Sequence, residues 1–180
     1  MPLTAAAAKA NIGQRWMDGI KFGLPPIARA DASLFILGSL PGDASLMAKR
    51  YYAHPTNQFW RLVGHVVGEK LDVLAYEERL RRLGHHRIGL WDVIASATRP
   101  GSLDQAIRLA DHNALEQLCG DFPQVRVIAF NGSAAAVAGR KLLRGTGNLT
   151  LIDLPSSSAA NTRPFAEKAA LWSEIRKFLA

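Results

Sequence analysis

The 180-residue chain carries a single cysteine, Cys119. One thiol can neither close an intramolecular disulfide nor supply a four-cysteine iron–sulfur cluster. Long apolar runs are missing as well. Nothing approaches the roughly 20 residues that cross a bilayer, and the alanine-rich start is too weakly hydrophobic for a secretory signal, so a cytoplasmic protein is expected. Acidic residues are scarce beside basic ones, 15 Asp plus Glu against 22 Lys plus Arg, for a formal net charge of +7 and a pI near 10.0. That balance favours a polyanionic partner, a merely soluble basic surface being the alternative. There is no internal repeat. Neither G-x-G-x-x-G nor G-K-[ST] occurs, which disfavours a nucleotide enzyme built on a phosphate loop. His85 and His86 have no third ligand at metal spacing, so no metal and no other cofactor is expected.

What is present is concentrated in residues 34–60, LFILGSLPGDASLMAKRYYAHPTNQFW. Leu34, Phe35, Ile36 and Leu37, closed by Gly38, read as a buried strand too short for a helix. A glycine–proline loop follows, with Ser39, Asp43 and Ser45 as small polar groups where the strand stops. Open α/β sheets bind their ligands at that end of a strand. A cluster of Tyr51, Tyr52, His54, Pro55, Asn57, Phe59 and Trp60 comes next.

Along the rest of the chain, apolar spacing predicts a helix over 58–67 with Phe59, Leu62, Val63, Val66 and Val67 on one face. A second helix over 76–83 is stopped by Gly84, with Arg79, Arg81 and Arg82 on a solvated face. Residues 88–94 read as a strand, or a strand and a turn, leading to a loop bearing Arg99. Ser102 with Gln105 three residues on is a capping-box signature that predicts a helix to Leu109. Further helices are expected over 113–120, after Asn131-Gly132 to about Leu143, and over 165–179 with Phe165, Ala169, Leu171, Trp172, Ile175 and Leu179 inward. Strands are expected over 125–130 and 149–154. Residues 1–32 read as an arm or helix with a linker, including an amphipathic piece around Ile12 to Ile20, and 33–180 as the functional domain. At this length one domain suffices, burying roughly 70% of its unfolded surface. Strands alternating with helices predict a single-domain α/β fold, a three-layer α/β/α sandwich with a mostly parallel central sheet.

GSLPG, followed by YYAHPTNQFW, closely resembles the first motif of the uracil-DNA glycosylase superfamily, in particular its mismatch-specific and hypoxanthine-type branches. Those carry a G-x-x-P-G loop and then an aromatic and an H-P-x-N-x-F-W segment. LPSSSAANTR, residues 154–163, looks like the second family motif, a proline–serine loop after a late strand. Between them, IGLWDVIASATRPGSLDQAI resembles the central segment of the hypoxanthine-type branch. The resemblance implies a uracil-DNA glycosylase-like fold and a monofunctional DNA glycosylase of base excision repair. Such an enzyme hydrolyses the N-glycosidic bond of uracil, hypoxanthine or both, and is expected to act as a monomer on DNA containing deaminated bases. The lone cysteine separates this chain from the branches that hold an iron–sulfur cluster.

By the same resemblance, Tyr52 lies against the flipped base, while Tyr51 is expected as a wall or surface residue. The mismatch-specific branch holds its water with an asparagine at the third loop position, here Leu40. The iron–sulfur branch places a glutamate at the second, here Ser39. Neither residue here can do that work. The resemblance to the hypoxanthine-type branch, where the asparagine of the H-P-x-N segment is the polar catalytic residue, implies that role for Asn57, with the Asp43 carboxylate as the alternative base unless it is a helix N-cap. Leu40 also keeps open a catalytically silent nucleic-acid-binding module of the same fold. Substrate contacts are expected from the loop formed by Gly38, Ser39, Leu40, Pro41 and Gly42, whose backbone N–H groups suit a base carbonyl, and from Asn131, as a pocket wall or as a plain turn residue. Ser156, Ser157 and Ser158 are expected on DNA phosphates, and Asn161 and Arg163 on the widowed base or backbone. Ala160 stands where the mismatch-specific branch has a gap-filling leucine, and fills the gap poorly. Asp92 is expected as a structural strand-end group rather than a site contact, and His54 as a structural residue. No lysine falls inside a motif, so no Schiff-base lyase step is expected, although Lys49 lies near the loop.

Overall fold

A computed structural model of the chain describes residues 19–179. In chain order the elements are β1 (Ile20–Phe22), β2 (Leu34–Gly38), α1 (Asp43–Ala48), α2 (Phe59–Val67), α3 (Tyr76–His85), β3 (Ile88–Asp92), β4 (Ile94–Thr98), β5 (Arg108–His112), α4 (Leu115–Asp121), β6 (Val127–Asn131), α5 (Ser133–Leu142), β7 (Thr150–Leu154) and α6 (Phe165–Trp172). The apolar run of β2 has no polar face to show water, and every one of its residues is buried. Such a strand is stable only inside a sheet covered on both sides. It pairs in parallel with β3 and β6, and β6 pairs in parallel with β7, giving the order β3-β2-β6-β7.

The two-residue side-chain period of a strand then builds two cores. Leu34 and Ile36 point to one face, where they join Ile88, Leu90, Val127 and Ala129 beneath Leu62, Val63 and Val66 of α2 and Trp172 of α6. Phe35 and Leu37 point to the other, with Ile128 and Phe130 beneath Leu115 and Leu118 of α4 and Ala135 and Ala136 of α5. Each fully buried Leu or Phe contributes roughly 1.5–3 kcal/mol. This is a three-layer α/β/α arrangement with a parallel central sheet. Helix α2 stops at Gly68, which takes the left-handed conformation at φ 75° that favours glycine.

A second sheet, antiparallel and ordered β1-β4-β5, departs from the expected layout. After β3 the chain bends across the end of β2: Val93 N–H donates to the Gly38 carbonyl at 2.8 Å and Ile94 N–H to the Ser39 carbonyl at 3.0 Å. The expected helix over 102–109 is a short 3₁₀ turn, Asp104–Ala106, followed by β5. The Ser102 hydroxyl is taken by the amide of Asp43 at 3.0 Å, and β5 pairs along β4. Ile107 and Ala110 cover the Leu40, Ile94 and Ala97 cluster, so tertiary packing overrides the local capping signal. Gly84 does not stop α3, which runs to His85. A Cβ there would stand 2.8 Å from Arg29 Cδ, so the glycine serves close approach. The last expected helix is α6 followed by 3₁₀ turns over Ser173–Phe178, and Leu171 is 42% exposed rather than inward.

Of the segment expected as arm and linker, residues 1–18 lie outside the described residues. The remainder is joined to the domain. Residues Ile20–Phe22 pair antiparallel with β4, and Ile27 exchanges backbone hydrogen bonds with Leu90 at 2.9 and 2.8 Å.

Gly139 of α5 packs against the face of Phe130, where a Cβ would collide with the ring. Gly139→Ala is therefore expected to lower stability by about 1–3 kcal/mol, read as a shifted urea midpoint. An unchanged midpoint would contradict the close packing of α5 on β6.

Candidate active site

All four central strands end at one edge of the sheet, and their last residues, Gly38, Asp92, Asn131 and Leu154, line a single cleft of about 1250 Å³. That exceeds the roughly 300–1,000 Å³ of a small-molecule pocket and suits a nucleotide still attached to its strand. The G-x-x-P-G loop forms one wall and the serine loop the opposite one.

Tyr52 lies in the cleft in an unusual backbone state. Its φ is 54°, a left-handed conformation that costs a non-glycine residue roughly 1–2 kcal/mol. This conformation lays the ring against Phe59, with centroids 3.7 Å apart and planes 10° from parallel. One aromatic face is thus backed by the core, because Phe59 in turn meets Trp172 edge-on at 5.8 Å. The Tyr52 hydroxyl is buried without a hydrogen-bond partner. Burial raises its pKa, and Asp92 nearby adds to the effect. Tyr51, expected at a wall or surface, does line the cleft but is 2% exposed, so it is no surface residue; its hydroxyl is shared between the carbonyls of Leu24 at 3.2 Å and Pro25 at 3.0 Å.

The two walls are stitched together at their base. Gln58 N–H donates to the Ser157 carbonyl at 2.9 Å. Lys168 of α6 is 1% exposed and sends Nζ to Gln58 Oε1 at 3.0 Å, to the Asn161 carbonyl at 2.8 Å and to the Ser158 carbonyl at 3.3 Å. Burial lowers the ammonium's pKa, with Arg163 nearby adding to it. Asn131 is held just as firmly: Oδ1 accepts from Ser157 N–H at 2.8 Å and Nδ2 donates to Ser157 Oγ at 2.9 Å. Ser157 is therefore not a phosphate donor. It is 1% exposed and engaged with Asn131. Asn57 is oriented by an Asx turn, Oδ1 accepting from Phe59 N–H at 2.9 Å, which leaves its amide nitrogen without a protein partner among the described residues.

The glycine loop is shaped from behind by Arg99, which is 2% exposed. Its guanidinium donates to the carbonyl of Leu40 at 3.0 Å and to that of Pro41. Leu40 itself turns into the apolar cluster with Ile94 and Ala97. Ser39 Oγ donates to Asp104 Oδ1 at 2.6 Å. Asp43 is the first residue of α1 rather than its cap, and its carboxylate is paired with Lys21, which also donates to the Gly101 carbonyl at 2.6 Å. Asp153 pairs with Arg140 at 2.9 Å. Asp92, the remaining carboxylate of the cleft, is 3% exposed with Oδ2 unpartnered. Burial pushes its pKa up to about 7, against the opposing pull of Tyr51 and Arg99. Among the described residues no cluster of His, Cys, Asp or Glu is arranged to hold a metal, and no helix is long and apolar enough to cross a membrane.

Residues 25–180 match the sequence profile of the Uracil DNA glycosylase superfamily. This chain belongs to that superfamily. A relative from Methanosarcina acetivorans named "Hypoxanthine DNA glycosylase" is 44% identical over 156 residues, covering 87% of this chain and 98% of the relative. A second of the same name, from Methanosarcina barkeri, is 39% identical over 157 residues with the same coverages. The solution NMR structure of a protein from Methanosarcina acetivorans, described as a candidate uracil DNA glycosylase, superposes with a TM-score of 0.80 at 42% identity, covering 88% of this chain and 98% of that one.

In this superfamily member every residue singled out for the site lines the cleft: Asn57, Asp43, the Gly38 to Gly42 loop, Tyr52, Asn131, and on the far wall Ser156, Ser157, Ser158, Ala160, Asn161 and Arg163. Three residues that matter to its architecture escaped notice or weight. Lys168 occupies the inward stripe of α6 beside Ala169 and Trp172, and a lysine on an apolar stripe was the available signal. Asp92 at a strand end beside a glycine loop was another. Asp104 had none, because it lies in the segment read as helix.

Lys168→Met keeps the bulk but strands three oxygen acceptors. We expect it to cost about 1.5–3 kcal/mol in chemical denaturation and to slow base release. A variant with normal stability and rate would show that the stitch between the loops is dispensable.

Proposed function

We propose that this DNA glycosylase is monofunctional and hydrolyses the bond between deoxyribose and a deaminated base, hypoxanthine first and uracil second, leaving the abasic site that opens base excision repair. The protein would act as a monomer in the cytoplasm. The observation that carries the reading is the Tyr52 ring, backed by Phe59 on one face and lining, with Asn57 and Asn131, a cleft roomy enough for a nucleotide and its flanking strand. Extruding a nucleotide costs a few kcal/mol, and an aromatic–base stack returns roughly 1–3 kcal/mol of it. The backing by Phe59 keeps Tyr52 from collapsing into the space the base would take.

Hypoxanthine and uracil both present a carbonyl beside a ring N–H. Asn131 offers the complementary acceptor and donor, and its bonds to Ser157 fix which end is which. The amides of Ser39, Leu40 and Gly42 have no acceptor among the described residues and suit the charge that develops on the departing base. Asn57, with Oδ1 anchored by Phe59 N–H, directs its amide toward a water or the sugar. A lyase step is disfavoured because Lys168 has all its protons engaged and Lys21 is paired with Asp43. The printed names of the Methanosarcina relatives favour hypoxanthine as the base.

Labelled duplexes bearing one hypoxanthine or one uracil, incubated with the protein and then with alkali, should break at the lesion. Binding without breakage would instead support the silent module that Leu40 suggested. Asn57→Ala is expected to slow single-turnover release by about 10²–10³-fold while leaving DNA affinity nearly intact. An unchanged rate would move the catalytic role elsewhere. Tyr52→Ala should weaken capture of the flipped base by roughly 1–3 kcal/mol, and normal activity in it would count against stacking.

A further inference from the structure

Asp92 ends β3, where the chain turns over the end of β2 and Asn113 Nδ2 holds the Asp92 carbonyl at 2.8 Å. The backbone is therefore pinned and the carboxyl is aimed at Gly38. A Cβ at position 38 would stand 2.6 Å from Asp92 Oδ1 and 3.2 Å from the Tyr52 hydroxyl. Only glycine leaves the carboxyl and the phenol this close to the cleft floor without a screen. Both groups carry a buried oxygen with no hydrogen bond of good geometry, although Asn131 lies near the Tyr52 hydroxyl and Tyr51 near the Asp92 carboxyl. A buried polar atom left unpaired costs about 1–3 kcal/mol, a price that a purely structural strand end has no reason to carry twice at one spot.

We propose that Asp92 is the general acid for the departing purine, giving its carboxyl proton to N7 of the extruded hypoxanthine as the bond between C1′ and N9 breaks. This rests on the reading of the cleft as a site for deaminated bases. A base on the open face of Tyr52 brings one edge toward the Tyr52 hydroxyl and the Asp92 carboxyl. The electron pair of the C1′–N9 bond passes into the purine, the Asp92 proton joins N7, and neutral hypoxanthine leaves. Water adds its oxygen to C1′, and the proton it sheds restores the acid. Uracil has no basic ring nitrogen to receive such a proton, so its departure depends on donors to its oxygens instead.

The environment suits an acid working near neutral pH. The titratable and charged groups facing Asp92 are Tyr51 and Tyr52 from the segment after α1, Arg99 from the end of β4, and Asp104 from the 3₁₀ turn. Burial is the largest influence and favours the neutral acid; Tyr51 and Arg99 oppose it, and Asp104 supports it. Because the folded pKa is raised to about 7, the proton is available below that pH and lost above it.

Single-turnover release of hypoxanthine and of uracil by the full chain, by Asp92→Asn and by Asp92→Ala tests this between about pH 5.5 and pH 8.5. For the wild type, hypoxanthine release should fall as pH rises through about 7. Both variants should lose on the order of 10²-fold on hypoxanthine at the acid end and show a flat profile, while uracil release changes only a few-fold. Equal losses on both bases, or a wild-type profile in Asp92→Asn, would overturn the assignment. If the wild type releases no uracil, the profile of Asp92→Asn on hypoxanthine decides alone. Failure of the wild type to release either base would reject the functional reading itself. Folding is checked by thermal melts at about pH 8, where Asp92→Asn, free of a buried charge, should melt no lower than the wild type. A lower melt would mean that the carboxylate supports the fold, and would overturn the role as acid.

Discussion

Gln58 N–H donates to the Ser157 carbonyl at 2.9 Å, and the geometry of the cleft depends on that join. One partner lies in the aromatic segment that follows the glycine loop, the other in the serine loop after β7. Parallel pairing of β2 with β6, and of β6 with β7, brings both loops to the same sheet edge but does not by itself fix the gap between them. Lys168 fixes it from below, placing one ammonium among oxygens of Gln58, Ser158 and Asn161. A buried cation is stable only when every proton finds an oxygen, so the two loops cannot drift apart without exposing an unpaired charge to an apolar surrounding. The aromatic platform belongs to the same assembly, since Trp172, one turn beyond Lys168, meets Phe59 edge-on and donates from Nε1 to the Pro155 carbonyl at 2.9 Å.

The charges of the cleft are arranged with economy. Of its carboxylates, Asp43 and Asp153 are ion-paired, which limits repulsion of a phosphate backbone, Asp104 accepts from Ser39, and Asp92 is desolvated with Oδ2 unpartnered. Arg99, although fully charged chemistry in a DNA-binding protein would suggest a phosphate contact, is buried behind the glycine loop and holds two of its carbonyls. The left-handed Tyr52 is a further local cost that the surrounding packing sustains. A left-handed tyrosine and two unmet buried oxygens thus meet at this end of the sheet, although Arg87 and Leu109 are also left-handed and Trp60 Nε1 is also buried without a partner.

Much of this was legible in the residues. The unbroken apolar run of β2 required a sheet covered on both faces, and helical spacing in α2 required one stripe against it. The motif residues line one cleft. What escaped was decided by long-range contacts. Ser102 and Gln105 satisfy a capping box, yet the Ser102 hydroxyl meets Asp43 instead, and the segment is drawn into an edge strand by β4. Nothing near Tyr51 in sequence says that its hydroxyl will find the carbonyls of Leu24 and Pro25. Ser157 looked like its neighbours Ser156 and Ser158 in a polar run, but only β6 brings Asn131 within 2.8 Å of its amide.

The central claim is that one extruded nucleobase occupies the cleft against Tyr52. A structure of the protein bound to a duplex containing 2′-fluoro-deoxyinosine, whose glycosidic bond resists cleavage, tests it most directly. The account predicts the hypoxanthine ring outside the helix, stacked on the Tyr52 face opposite Phe59 and between Gly38 and Asn131. A base still paired within the duplex, or lodged away from the ends of the parallel strands, would contradict it.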